Sequence, residues 1–238
     1  LMIGKMLGAS MLGSYTLSFS LSEQVRQTVS AILNKVMDPV FGKHQDDKAR
    51  IKMYFLKIIN LNAIAIYPLM TFLFIFAEEV ILSFFGDKWI NAIVPLKILV
   101  VAMMISLLVN SFTSVIRGLG KPKLELQIII CGTIFVLIPC LYLGINNWGL
   151  IGAAVAILMN KIYLVVVGVW VLGREIKVTF INVFDAVKGS VISVISAGVF
   201  VFITKNYFYD NSIFLFCVYC LVYAGIIYRF EKNNIMSM

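Results

Sequence analysis

NAIVPLKILVVAMMISLLVNSFTSVIRGLGKPK, residues 91–123, decides the fold. From 91 to 116 it carries one charged side chain, Lys97, and then meets Arg117, Lys121 and Lys123. At helical rise that apolar run covers about 39 Å, more than the roughly 30 Å of hydrocarbon in a bilayer. Similar runs stand at roughly 11–36, 54–83, 124–143, 150–172, 186–204 and 213–228, the last of marginal length. The spacing therefore predicts an all-α chain, a polytopic bundle of about seven transmembrane helices. Basic residues gather in alternate connections. Lys43, Lys48, Arg50 and Lys52 form one group, Arg117, Lys121 and Lys123 the next, then Arg174, Lys177 and Lys188, and finally Arg229 and Lys232. The connections between hold Lys88, no basic residue, and Lys205. Positive charge accumulates on the cytoplasmic side of membrane proteins, so the C-terminus is expected there.

Composition points the same way. A chain of 238 residues with 61% hydrophobic residues, 13% charged and a mean hydropathy of +0.96 lacks the polar residues to cover a soluble surface. The net charge of +8 sits in loops that face anionic headgroups, which argues against nucleic acid as a partner and for membrane lipids. Cys131, Cys140, Cys217 and Cys220 all fall within spans. The Cys217–Cys220 spacing suits a metal or redox pair, but no His or further thiol lies near, so all four read as small buried apolar residues. Neither disulfides, metals nor cofactors are expected. No signal peptide opens the chain, and Met2-Ile3-Gly4-Lys5 reads as the end of an upstream helix. The expectation is a C-terminal piece of a longer transporter, folded as one membrane domain over 1–238, with 186–204 and 213–228 as additional spans.

Connections are short except 37–53 and 173–185. The second mixes Phe180, Ile181, Val183 and Phe184 with charges and is expected to lie along the cytoplasmic interface. Pro68 and Pro139 fall inside spans, where each removes a backbone hydrogen bond and predicts a kink.

One span is unlike the others. At about 100° per residue, Thr16, Ser20, Glu23, Gln27, Ser30 and Asn34 align on one face of 11–36, opposite Val25, Val29, Ile32 and Val36. Hydrogen-bonding groups desolvated in lipid would be costly, so the stripe faces other helices or a wet cavity. Its length, from one interface to the other, favours the cavity. A second inward face is Gly149, Gly152, Ala153, Ala156, Asn160 and Tyr163, where small residues allow close helix approach.

Three charges lie at depth. Lys161 is about 15 Å from either end of its helix, too far for its stem to reach an interface. It faces protein or water and is a functional candidate; a buried ion pair or an off-centre span is the structural alternative. Glu23 and Arg26 are an i,i+3 pair that neutralise each other, or else a proton- or cation-coupling carboxylate beside a guanidinium fork for phosphate. Lys97 lies near a span end and is explained by snorkelling. Asn60, Asn62 and Asn110 are weaker cavity candidates. No catalytic constellation is visible: His44 sits beside Asp46 and Asp47 in a loop, and no Gly-rich phosphate loop is present.

The stretch Ile3–Ser18 (IGKMLGASMLGSYTLS) resembles the segment between two helices of polysaccharide-type flippases, which export O-antigen and exopolysaccharide repeat units. Phe85–Trp89 (FGDKW), Arg117–Lys123 (RGLGKPK) and Asn147–Ala156 (NWGLIGAAVA) agree with that family in order and spacing, to about residue 172. The superfamily also includes the MATE drug exporters and the lipid II flippases. The resemblance implies a two-lobed bundle of twelve to fourteen helices around a central cavity. This chain would be the C-terminal lobe, and the N-terminal lobe would be missing. It implies flipping of undecaprenyl-diphosphate-linked oligosaccharides across a bacterial inner membrane, without enzymatic chemistry, with polysaccharide polymerase or assembly proteins as possible partners. On that reading Arg26 and Lys161 attract the diphosphate; Ser20, Gln27, Ser30 and Asn34 hydrogen-bond the sugar hydroxyls; Asn160 also lines the cavity; Glu23 couples to an ion gradient. A MATE-type cation or drug antiporter, a membrane enzyme and a scaffold of a polysaccharide assembly complex are the rival readings.

Overall fold

The computed structural model describes residues 2–43, 47–205 and 219–228, with side chains except at 29, 31–43, 202, 204 and 205. The described residues form helices and short turns. In order they are α1 (Met2–Leu7), α2 (Ala9–Lys43), α3 (Lys48–Ile75), α4 (Ala77–Phe85), a 3₁₀ segment (Asp87–Ala92), α5 (Ile93–Gly118), α6 (Pro122–Cys131), a π-helical turn (Gly132–Leu137), α7 (Ile138–Ile176), α8 (Phe180–Lys205) and α9 (Tyr219–Tyr228).

Among the described residues four helical stretches are long and apolar enough to cross a membrane: Lys48–Ile75, Asp87–Gly118, Pro122–Ile176 and Phe180–Val201. The third crosses twice. At Gly149 the backbone leaves helical geometry (φ 55°, ψ −128°), a conformation open to glycine and strained for side chains with a Cβ. The chain reverses there, giving a hairpin of arms 122–148 and 150–176. Glycine also sets the arm spacing. A Cβ on Gly152 would lie 1.9 Å from the Gly144 carbonyl oxygen, and one on Gly132 would lie 3.0 Å from the Tyr163 ring. Gly152, Ala153, Ala156 and Asn160 are buried as the sequence predicts, Tyr163 is half-buried, and Gly149 makes the turn, half-buried, with open space where a Cβ would stand. The π-helical turn precedes Pro139: the Ile138 N–H donates five residues back to the Thr133 carbonyl. That wider turn supplies a local adjustment just ahead of the proline. Pro68 sits within an uninterrupted α3.

α5 is the central helix, with α2, α3 and the second hairpin arm packed around it, and α8 lies on the far side of α3. The core follows from these faces: Phe55, Ile58, Ile59, Ile66 and Met70 of α3 meet Leu96, Val100, Met103 and Phe112 of α5. Many large apolar side chains point outward, including Phe84, Phe135, Trp148 and Ile195. On a soluble protein such a surface would aggregate; here lipid covers it.

Several sequence expectations are corrected. The connection expected over 37–53 is helical to Lys43 and again from Lys48, because the Asp47 carboxylate accepts the Arg50 backbone N–H (3.0 Å) and starts α3 early. The span expected at 54–83 ends at Ile75 and resumes after Phe76 as α4, whose first turn carries Glu78 and Glu79. The interfacial stretch expected at 173–185 shrinks to residues 177–179. Helix α7 runs to Ile176, and Thr179 and Asn182 exchange side-chain-to-backbone hydrogen bonds that start α8 at Phe180, not 186. Cys131 and Cys220 are exposed and Cys140 is half-buried, where burial was expected, because their helices turn those faces outward. Residues 213–218, with Cys217, and His44 lie outside the described residues.

Basic residues of three of the clusters meet at one end of the bundle. There the Lys52 ammonium donates to the Lys177 carbonyl (2.8 Å), Lys121 pairs with Glu175 (2.6 Å), and the Arg174 guanidinium lies 3.7 Å over the Trp170 ring. These contacts tie the start of α3 and the α5–α6 turn to the end of α7.

Candidate functional site

The site is built on α2, which is long enough to span a bilayer but far more polar than its neighbours. Two of its faces are polar for different reasons. Ser14, Ser18, Ser22, Arg26 and Ser30 recur every four residues, and all are buried. The hydroxyls of Ser14, Ser18 and Ser22 donate to carbonyls four residues back, and Ser18 also donates to the Ala92 carbonyl (2.8 Å). Gly13 lies against Trp89, so this row clamps α2 to the 3₁₀ segment that precedes α5. It was missed at the sequence level, although its four-residue repeat was there to be read.

The second face carries Thr16, Ser20, Gln24, Gln27 and Thr28, all exposed. Thr16 and Thr28 turn their hydroxyls onto their own helix (2.8 and 2.9 Å), leaving Ser20, Gln24 and Gln27 as its open polar groups. Thr16, Ser20 and Gln27 thus share one exposed face, as helical phase predicts, with one difference. Ser30 is buried with Arg26 in the serine row, because a 35-residue helix packed on α5 and α3 carries its lower polar positions inward. The side chain of Asn34 lies outside the described residues.

Between the two faces sits the charge. The Arg26 guanidinium grips Glu23 with two donors, Nε to Oε2 at 2.9 Å and Nη2 to Oε1. Gln27 Nε2 donates to the same Oε1 at 2.8 Å. The side chains of Arg26 and Glu23 are 10% and 19% exposed, so the pair is largely shielded from solvent while Glu23 keeps an open edge. Lys161 comes from the second arm of the hairpin, half-buried and within electrostatic range of both Arg26 and Glu23. Two cations and one carboxylate thus come within electrostatic range of one another from helices more than a hundred residues apart in the chain. Among the described residues Lys161 makes no ion pair.

Asn160, adjacent to Lys161, turns elsewhere. It is buried in the hairpin with its Oδ1 beside Gly132, and that oxygen has no hydrogen-bond partner among the described residues. Asn62 is also buried, donating to the Ile58 carbonyl (3.1 Å) within α3. Such a constellation can bind and orient anions and hydroxyls, and among the described residues it holds no nucleophile beside a base.

Comparison with known proteins agrees with the reading of the sequence. Residues 1–94 match the family described as polysaccharide biosynthesis protein. The chain is similar to the lipopolysaccharide biosynthesis protein WzxC of Escherichia coli K12, 26% identical over 163 residues, covering 68% of this chain and 33% of that protein. It is 23% identical over 202 residues to the teichuronic acid biosynthesis protein TuaB of Bacillus subtilis, covering 85% of this chain and 42% of that protein. It is also 29% identical over 157 residues to an uncharacterised membrane protein of the cps region of Klebsiella pneumoniae, covering 66% of this chain and 32% of that one. The chain thus spans less than half the length of these relatives. Among solved structures, the inward closed conformation of the lipid II flippase MurJ superposes with a TM-score of 0.64 at 15% identity, over 90% of this chain and 48% of that one. That likeness establishes the fold, an all-α polytopic membrane bundle.

Proposed function

We propose that this chain is the C-terminal lobe of a flippase that carries undecaprenyl-diphosphate-linked oligosaccharide repeat units, for O-antigen, capsule or exopolysaccharide, across a bacterial inner membrane. The observation that carries the reading is the charged cluster: Arg26, Glu23 and Gln27 beside an exposed polar face, with Lys161 from a second helix. A polar headgroup crossing about 30 Å of hydrocarbon needs such a path. Arg26 and Lys161 draw the diphosphate, and Ser20, Gln27 and Asn34 serve the sugar hydroxyls, while Ser30 and Asn160, buried in helix packing, only support the site. Glu23 couples the cycle to an ion gradient. The open face of α2 takes an N-terminal lobe opposite it, and the two lobes alternate access by rocking. The basic end of the bundle lies at the cytoplasmic face, which also puts the C-terminus inside. The substrate leaves covalently unchanged, so the protein is a transporter, and its partners are its lipid-linked substrate, membrane lipids and the polysaccharide polymerase or assembly proteins that receive the product.

A cation or drug antiporter is the weaker reading, since the one carboxylate of the cluster is already gripped by Arg26. The test is a vesicle assay on the full-length protein with a lipid-linked oligosaccharide, scored by access of an external sugar-oxidising reagent. Protein-dependent movement of intact lipid supports flipping. A covalently altered lipid would mean an enzyme, and neither result would leave a scaffold.

A further inference from the structure

We infer that Glu23 is a tethered anion occupying the seat a diphosphate takes on Arg26, so that substrate binds by exchange with Glu23. This rests on the reading above, in which an anionic headgroup is drawn to Arg26 and Lys161. A guanidinium presents paired N–H donors along an edge, and carboxylate and phosphate compete for the same two-oxygen geometry. Here the Nε and Nη2 edge is committed to Glu23, and Gln27 steadies the carboxylate with a further hydrogen bond to Oε1. Anchored three residues away on the same helix, Glu23 faces Arg26 at a local concentration no free ligand matches. A diphosphate that reaches the cluster therefore meets Lys161 first, the cation with no ion pair among the described residues. It then takes the Arg26 edge only as Glu23 swings toward its open side. The exchange keeps Arg26 paired in both states, which avoids the cost of an uncompensated buried charge when the site is empty.

The experiment measures binding of farnesyl diphosphate, which has no sugar, to the full-length protein in lipid nanodiscs, with inorganic pyrophosphate as a second probe. Wild type, Glu23→Gln, Gln27→Leu and Arg26→Gln are compared, each checked for a retained helical spectrum and melting transition. The exchange predicts that Glu23→Gln binds about tenfold or more tightly than wild type, that Gln27→Leu binds a few-fold more tightly, and that Arg26→Gln binds weakly. Tightening seen with both probes locates the recognition in the phosphates; tightening with farnesyl diphosphate alone adds the prenyl chain to it. Wild type that binds, with Glu23→Gln and Gln27→Leu no tighter, would overturn the exchange and leave the anion site standing. Folded wild type and Glu23→Gln that both fail to bind would overturn the anion reading itself. Gln27→Leu keeps every charge, so it decides the matter if Glu23→Gln does not fold.

Discussion

Substituting Gly152 by alanine puts one methyl group into the hairpin where the two arms touch. The added Cβ would stand 1.9 Å from the Gly144 oxygen and 2.2 Å from its carbonyl carbon, and both obstacles are backbone. Carbon–oxygen contacts normally close no nearer than about 3.3 Å, so the arms must part locally by about 1.4 Å. Overpacking of this kind costs about 1–3 kcal/mol even where side chains can yield, and alanine's higher helix propensity returns at most about 1 kcal/mol. A net loss of about 2 kcal/mol or more is expected, or about 4–8 °C in melting temperature for a chain of this size. Gly198→Ala in α8 is the matched control. Its Cβ would meet Thr71 at 3.4 Å and Ile75 at 3.5 Å, ordinary contacts, so it is expected to be neutral or slightly stabilising. Both variants are to be melted in the same detergent, with amide exchange followed across 138–160. Equal melting temperatures and unchanged exchange in the hairpin would refute the argument that glycine at 152 sets the arm spacing.

Arg26→Gln leaves the shielded Glu23 carboxylate without its partner and should cost on the order of 3–5 kcal/mol, while the double change Glu23→Gln with Arg26→Gln should recover most of it in a denaturation cycle. Lys177 holds a left-handed backbone (φ 55°, ψ 41°) where glycine is unstrained, so Lys177→Gly should stabilise by about 0.5–1 kcal/mol in thermal melts. Thr179→Ala removes half of the reciprocal cap at the start of α8 and should cost about 1 kcal/mol, read as faster amide exchange over 179–183.

The positions of the spans were legible because lipid imposes a local rule: enough apolar residues in a row to cross. The expected spans at 91–116, 124–143 and 150–172 each lie within a described helix or hairpin arm. Boundaries were less legible. The starts at Lys48 and Phe180 depend on caps from Asp47, Thr179 and Asn182, which polar loop composition concealed. The break at Phe76 has neither glycine nor proline to announce it. In the site, helical phase correctly put Glu23, Arg26 and Gln27 side by side, since neighbours at i,i+3 and i,i+4 are fixed by 3.6 residues per turn. It also placed Thr16, Ser20 and Gln27 on a common face, and all three are exposed.

What phase cannot supply is the identity of whatever packs against each face. The sequence by itself determined a polytopic helical membrane protein, a polar helix over 11–36 and a carboxylate beside a guanidinium at its middle, because each is a matter of local composition and period. Only the tertiary structure decided that Ser30 and the serine row turn inward toward the bundle. Only it showed that Gly144 and Gly152 bring two arms into backbone contact, and that Lys161 comes within electrostatic range of Arg26 and Glu23. Those outcomes depend on how α2, α5 and the hairpin arms settle against one another, a non-local packing that no single helix encodes.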